Sequence, residues 1–139
     1  MKGYGLPRRT VLAALMLALL PLFAFAAESD FQTPAITPED LAARQETPEK
    51  LLVVDVRDNN EYKSGHVPGA VNIPHTKLEK HMDEFRAANG VVLYCIFGKR
   101  TRLAEQTLIE HDIPNVMHLE GGLNGWRKSG FEVRTGWGP

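Results

Sequence analysis

Two stretches of this 139-residue chain are apolar almost without interruption, Leu51-Leu52-Val53-Val54-Asp55-Val56 and Val91-Val92-Leu93-Tyr94. A strand with one wet face alternates, so runs like these predict strands buried on both faces. The segments around them carry helical spacing instead. Thr37-Pro38-Glu39-Asp40 is a helix start, with a hydroxyl at the N-cap, proline at the first helical position and acids at the positive helix end. Leu78, Met82 and Phe85 predict a helix over about 76–88, stopped by Asn89-Gly90. Leu103, Leu108 and Ile109 predict another over about 101–110, and Val116 to Leu119 reads as a third strand. Gly121-Gly122 breaks that strand before a short helix near 123–128, while Gly65 to Pro74 reads as turns about a very short strand at Ala70-Val71-Asn72. Strands alternating with helices imply a single α/β domain, a central parallel sheet flanked by helices on both faces.

The first 26 residues stand apart from that pattern. Lys2, Arg8 and Arg9 precede an apolar run from Val11 to Phe25, and Ala24-Phe25-Ala26 supplies a small-x-small cleavage pattern. The run is shorter than the about 20 residues a spanning helix needs, and Pro21 interrupts it. Residues 1–26 are therefore expected to be a cleaved export signal, with an uncleaved anchor or a peripheral core helix as the alternatives. Arg8-Arg9-Thr10-Val11-Leu12 loosely resembles a twin-arginine signal, but Pro7 and Val11 depart from it, which favours the ordinary secretory route. With no cysteine near the cleavage site, a lipoprotein is not expected. The expected organisation is then a polar lead-in over 27–36, the domain over 37–135 and a tail over 136–139, in a periplasmic protein without stable membrane insertion. Removing the signal leaves 13 basic against 17 acidic residues. That balance disfavours nucleic acid and anionic membranes as partners.

Cys95, the single cysteine of the chain, rules out an intrachain disulfide framework. It stands at the end of the second buried strand, where open parallel sheets place their ligands. The segment Cys95-Ile96-Phe97-Gly98-Lys99-Arg100-Thr101 runs from that strand into a helix start. A turn of this kind can aim several backbone N–H groups inward as an anion-binding nest, with the helix N-terminus adding partial positive charge. Gly98 permits backbone angles that a side chain would forbid. Lys99 and Arg100 add full charges, and Arg102 lies just inside the helix. All these terms favour a thiolate, so Cys95 is expected to be a nucleophile rather than an inert core cysteine.

Four ordered motifs carry a family resemblance. Cys95-x-x-Gly98-x-Arg100-Thr101 is similar to the C-x-x-G-x-R-[ST] active loop of rhodanese-like sulfurtransferases. Asp55-Val56-Arg57 with Glu61-Tyr62, then Gly65-His66-Val67-Pro68-Gly69-Ala70 with Asn72-Ile73-Pro74, and finally Gly121-Gly122 with Gly125-Trp126, resemble the family's other signatures in the same order. The resemblance spans about Thr37 to Val133. It implies a rhodanese-like fold and attack by Cys95 on a sulfane-sulfur donor such as thiosulfate. A cysteine persulfide would then pass sulfur to cyanide or another thiophilic acceptor, without metal or organic cofactor. The related cell-cycle phosphatases and arsenate reductases use a C-x5-R loop. Here the sixth residue after Cys95 is Thr101, so the sulfurtransferase loop fits and the phosphatase loop does not.

Within this reading Arg100 is expected to neutralise the incoming anion with Lys99 as auxiliary, and Ile96, Phe97, Gly98 and Thr101 to complete the binding loop. Asp55 and Arg57 are expected as a buried pair that braces the loop, with direct substrate contact as the alternative. His66 invites a Cys–His reading, yet its Gly/Pro surroundings mark it as structural. His75, His81, His111 and His118 lack metal-like spacing and are given no role. Trp126 and Trp137 are expected to pack or lie on the surface. A monomer is expected. Three rival classes remain: a noncatalytic binding module of the same fold, a thiol-redox partner joined through a mixed disulfide, and anion hydrolysis or reduction, which would show turnover of an aryl phosphate or arsenate.

Overall fold

The computed structural model describes residues 31–139, so the expected export signal lies outside the described residues. Five parallel strands form the sheet in the order β1-β5-β4-β2-β3. They are β1 (Ala35–Ile36), β2 (Leu52–Asp55), β3 (Val71–Asn72), β4 (Val91–Tyr94) and β5 (Val116–Leu119). The helices are α1 (Pro38–Gln45), α2 (Asn59–Ser64), α3 (Met82–Ala87), α4 (Lys99–Glu110) and α5 (Gly122–Lys128). The two apolar runs are β2 and β4, the paired centre of the sheet, with Val54 opposite Leu93 and Asp55 opposite Tyr94.

Both faces of that centre are covered, which is why neither run alternates. Val54, Val91 and Leu93 point to one side and pack with Leu78, Met82, Phe85, Ala104 and Leu108. Val53, Val92 and Tyr94 point to the other and pack with Leu41, Leu119, Leu123 and Trp126. α1 starts as its sequence dictates, with Thr37 Oγ1 accepting the Asp40 N–H at 3.1 Å and Pro38 in the first turn.

Three details differ from the sequence expectations. The stretch expected as one helix over 76–88 is a 3₁₀ turn, Leu78–His81, leading into α3. The apolar steps of four and three residues fit that combination as well as a continuous helix, and Leu78, Met82 and Phe85 all remain buried. α4 begins at Lys99, two residues before the expected start. The lead-in contributes β1 on the sheet edge, and residues of the expected tail fold back: Gly136 N–H donates to the Lys63 carbonyl at 2.8 Å, and the Gly138 carbonyl accepts from Tyr62 Oη at 3.0 Å.

Candidate active site

The site forms where β4 ends and α4 begins. Cys95 is 1% exposed, and the chain turns around its sulfur so that the Gly98 N–H donates to Sγ at 3.0 Å. The turn needs Gly98, whose φ of 111° lies in the left-handed half of backbone space. The carbonyls of the loop face away from the sulfur toward the next element. Cys95 O accepts the Leu123 N–H at 2.8 Å, and Ile96 O accepts the Asn124 N–H at 3.4 Å. The start of α5 thus holds the loop carbonyls outward, which leaves the loop N–H groups aimed inward as a nest.

Burial by itself pushes the Cys95 thiol up, since it penalises the charged form. The Thr101 hydroxyl and the backbone N–H groups of Thr101, Gly98 and Phe97 outweigh it, and the thiol is held below its ordinary range. Thr101 Oγ1 is a buried hydroxyl with no formed hydrogen bond of full geometry. Its neighbour is the sulfur, so it stands as a donor for a thiolate or for an anionic atom bound to one. This corner can therefore stabilise a nucleophilic sulfur and a small anion together.

The expected site residues divide into those that touch this corner and those that shape it. Ile96, Phe97 and Gly98 are the turn itself, and Thr101 lies in the first turn of α4. The Phe97 side chain is 72% exposed, and Lys99 is also exposed on the rim. Arg100 is engaged in a two-pronged pair with Glu61, Nη1 to Oε2 at 2.5 Å and Nη2 to Oε1 at 2.8 Å. The guanidinium hydrogen-bonded to Glu61 holds that carboxyl well down, to about 2. Arg100 therefore joins the loop to α2 and meets an anion as a compensated cation.

Asp55 and Arg57 are a buried pair, as expected. Arg57 Nε lies 2.9 Å from Asp55 Oδ1, and its Nη2 lies 2.5 Å from Oδ2 and 2.7 Å from the Gly65 carbonyl. Burial alone would lower the Arg57 guanidinium, but the Asp55 carboxylate more than offsets that and raises it. What the pair fixes directly is the turn at Gly65, not the cysteine loop itself. Tyr94 reaches the same turn, its Oη accepting the Val67 N–H at 3.0 Å. His66 is fully buried, stacked on Tyr62 at 3.7 Å, with its ring nitrogens 2.9 Å from the Tyr62 and Gly138 carbonyls. That is a structural histidine. Trp126 is buried and donates to the Glu132 carbonyl at 2.8 Å, while Trp137 is exposed.

The family model described as a rhodanese-like domain matches residues 37–129, which include every strand but β1 and the whole cysteine loop. The chain belongs to the rhodanese-like family. Among curated relatives, it is 38% identical over 77 residues to the uncharacterised protein YqhL of Bacillus subtilis, covering 55% of this chain and 61% of that one. It is 30% identical over 83 residues to the thiosulfate sulfurtransferase GlpE of Pseudoalteromonas translucida, covering 56% of this chain and 74% of that one. The chain spans about half the length of two others of the curated relatives it matches. Among solved structures, a thiosulfate sulfurtransferase from Pseudomonas aeruginosa superposes with a TM-score of 0.69 at 26% identity, over 76% of this chain and 21% of that one.

Two parts of this rhodanese-like site escaped the sequence reading. One is the brace from α5. The Gly121-Gly122 pair was visible as a motif, but its purpose is spatial: a Cβ on Gly122 would lie 2.5 Å from Cys95 O and 2.7 Å from Ile96 O. The other is Glu61, visible as part of a motif with Tyr62 yet not assigned as the partner of Arg100. A two-pronged fit to a carboxylate 39 residues away leaves no local signal.

Proposed function

We propose that this protein is a sulfurtransferase that carries sulfane sulfur as a persulfide on Cys95. The observation that carries the reading is the buried Cys95 sulfur enclosed by inward N–H groups, with the Thr101 hydroxyl beside it and its thiol held below the ordinary range. The Cys95 thiolate attacks the outer sulfur of a thiosulfate-like donor. The donor S–S bond breaks, sulfite leaves with the electron pair, and the new bond joins Cys95 Sγ to the transferred sulfur. The same nest then stabilises the negative outer sulfur. A thiophilic acceptor such as cyanide attacks that sulfur, leaves as thiocyanate and returns the thiolate. Electrons and atoms balance with no further reactant, so the chemistry asks for neither metal nor organic cofactor.

The likeness to a protein named thiosulfate sulfurtransferase supports this choice of donor class. The cellular setting we propose is the periplasm, reached through cleavage near Ala26, with the mature chain acting as a monomer. Intact mass of the mature protein tests the chemistry. Thiosulfate should add about 32 Da, cyanide should remove it, and Cys95→Ser should show neither change. A free, accessible thiol that gains no sulfur would reject transfer in favour of a binding module. A larger adduct would indicate a mixed disulfide instead.

A further inference from the structure

Residues 31–33 lie just before β1, outside the matched family region, and the first of them, Phe31, abuts the active-site loop at Gly98. The Phe31 ring stacks on His118 of β5 with centroids 3.8 Å apart and planes at 13°, and the Arg102 guanidinium lies 5.4 Å from its centre. Its edge occupies the space that a side chain at position 98 would need: a Cβ on Gly98 would lie 2.6 Å from Phe31 Cζ. The next two residues anchor the segment to a buried acid. The Gln32 N–H donates to Glu105 Oε2 at 3.2 Å, the Thr33 hydroxyl donates to Glu105 Oε1, and Thr33 Oγ1 lies 3.1 Å from His118 Nδ1. Glu105 is fully buried and His118 is 6% exposed. The transfer mechanism uses neither of them.

Of this anchored segment, the Phe31 ring is the part that reaches the loop, at Gly98. Gly98 has to be glycine for its backbone angle, and glycine is the residue least able to hold an angle on its own. Its N–H is the donor that reaches the Cys95 sulfur. We infer that Phe31 is a positioning residue: anchored through Thr33, Glu105 and His118, it holds Gly98 so that the Gly98 N–H stays on the Cys95 sulfur. The segment over 31–36 is then a strap completing the active site, and the cysteine loop depends on chain beyond the family's own boundaries. The inference rests on reading Cys95 as a reactive thiolate.

The test is the pH profile of Cys95 alkylation by iodoacetamide in the full chain, compared with Phe31→Ala, Phe31→Leu and Thr33→Val. The midpoint is the readout, because its sign separates the causes: opening the site relieves burial and lowers it, whereas losing the Gly98 N–H raises it. In Phe31→Ala the midpoint should rise enough to lower the ionised fraction well below the midpoint by roughly threefold or more. Phe31→Leu, which keeps apolar bulk without extending past the ring tip that abuts Gly98, should move it less than Phe31→Ala. Thr33→Val, which keeps Phe31 and loosens its anchor, should rise in the same direction. An unmoved or lowered midpoint in Phe31→Ala and Thr33→Val, with both proteins folded, overturns the positioning role. Alkylation needs no sulfur donor, so absence of thiosulfate turnover in the unsubstituted protein would count against sulfur transfer while leaving this test intact.

Discussion

At the scale of single residues, the chemistry depends on a contest at one sulfur. Burial opposes ionisation of Cys95, and a handful of donors reverses it. The backbone donors cannot be removed by substitution, but the Thr101 hydroxyl can. Because Thr101 Oγ1 is buried without a hydrogen bond of full geometry, Thr101→Val leaves no new polar group unsatisfied and should change folding stability by only about 1 kcal/mol or less. The Cys95 alkylation midpoint should nonetheless rise, since the thiolate loses a donor while the thiol loses little. Paired thermal melts and pH profiles check both halves. A thiol midpoint unchanged in the folded variant would remove the hydroxyl from the stabilisation of the sulfur. Arg100 illustrates the opposite case, a charge whose effect is moderated by the carboxylate it holds. Its pair with Glu61 orients the loop against α2, so the site's attraction for anions comes chiefly from N–H groups and the start of α4.

At the scale of elements, the loop is set between two helices, and α5 matters as much as α4. Gly122 has a φ of 59°, and its missing Cβ is what lets α5 approach the loop carbonyls. Gly122→Ala should cost more than 2 kcal/mol, from left-handed backbone plus the clash, and should sharply reduce persulfide loading. Gly130→Ala is the comparison, with a φ of 83° and open space around it. It should cost about 1 kcal/mol and leave loading intact. Urea midpoints and intact masses of the two variants separate backbone strain from loop displacement, and equal loading in both would refute the brace. This contrast also marks what the sequence could disclose. Strands β2 and β4 were legible because their burial is written in contiguous apolar residues, and the cysteine loop because its parts span seven positions. The two-residue β1 has no period to read. The brace by Gly122 and the partnership of Glu61 with Arg100 belong to contacts between distant segments, and local pattern has no access to those.

At the scale of the whole molecule, two carboxylates tie the active-site half of the fold together, and both are held below the ordinary range. Glu61 joins α2 to α4 through Arg100. Glu105 joins α4 to β5 and to the segment before β1, where burial pushes its carboxyl up but hydrogen bonds from His118, Thr33 and the Gln32 N–H more than offset that. In the unfolded chain both acids take up protons near their ordinary value of about 4.5, whereas the folded protein resists. Their contribution is therefore fully present above that value and is lost as pH falls, through about 2 in the case of Glu61. Unfolding free energy from urea titrations should be level between pH 7 and 5 as far as these groups are concerned, then decline steadily toward pH 3. Glu105→Gln should be less stable at pH 7, because a carboxylate facing His118 and Thr33 is replaced by a neutral amide. It should also show a shallower acid decline, since one of the protons responsible is gone. If the decline kept its full slope in Glu105→Gln, the buried cluster would not be a source of acid sensitivity, and the joint between strap, helix and sheet would be held by packing alone.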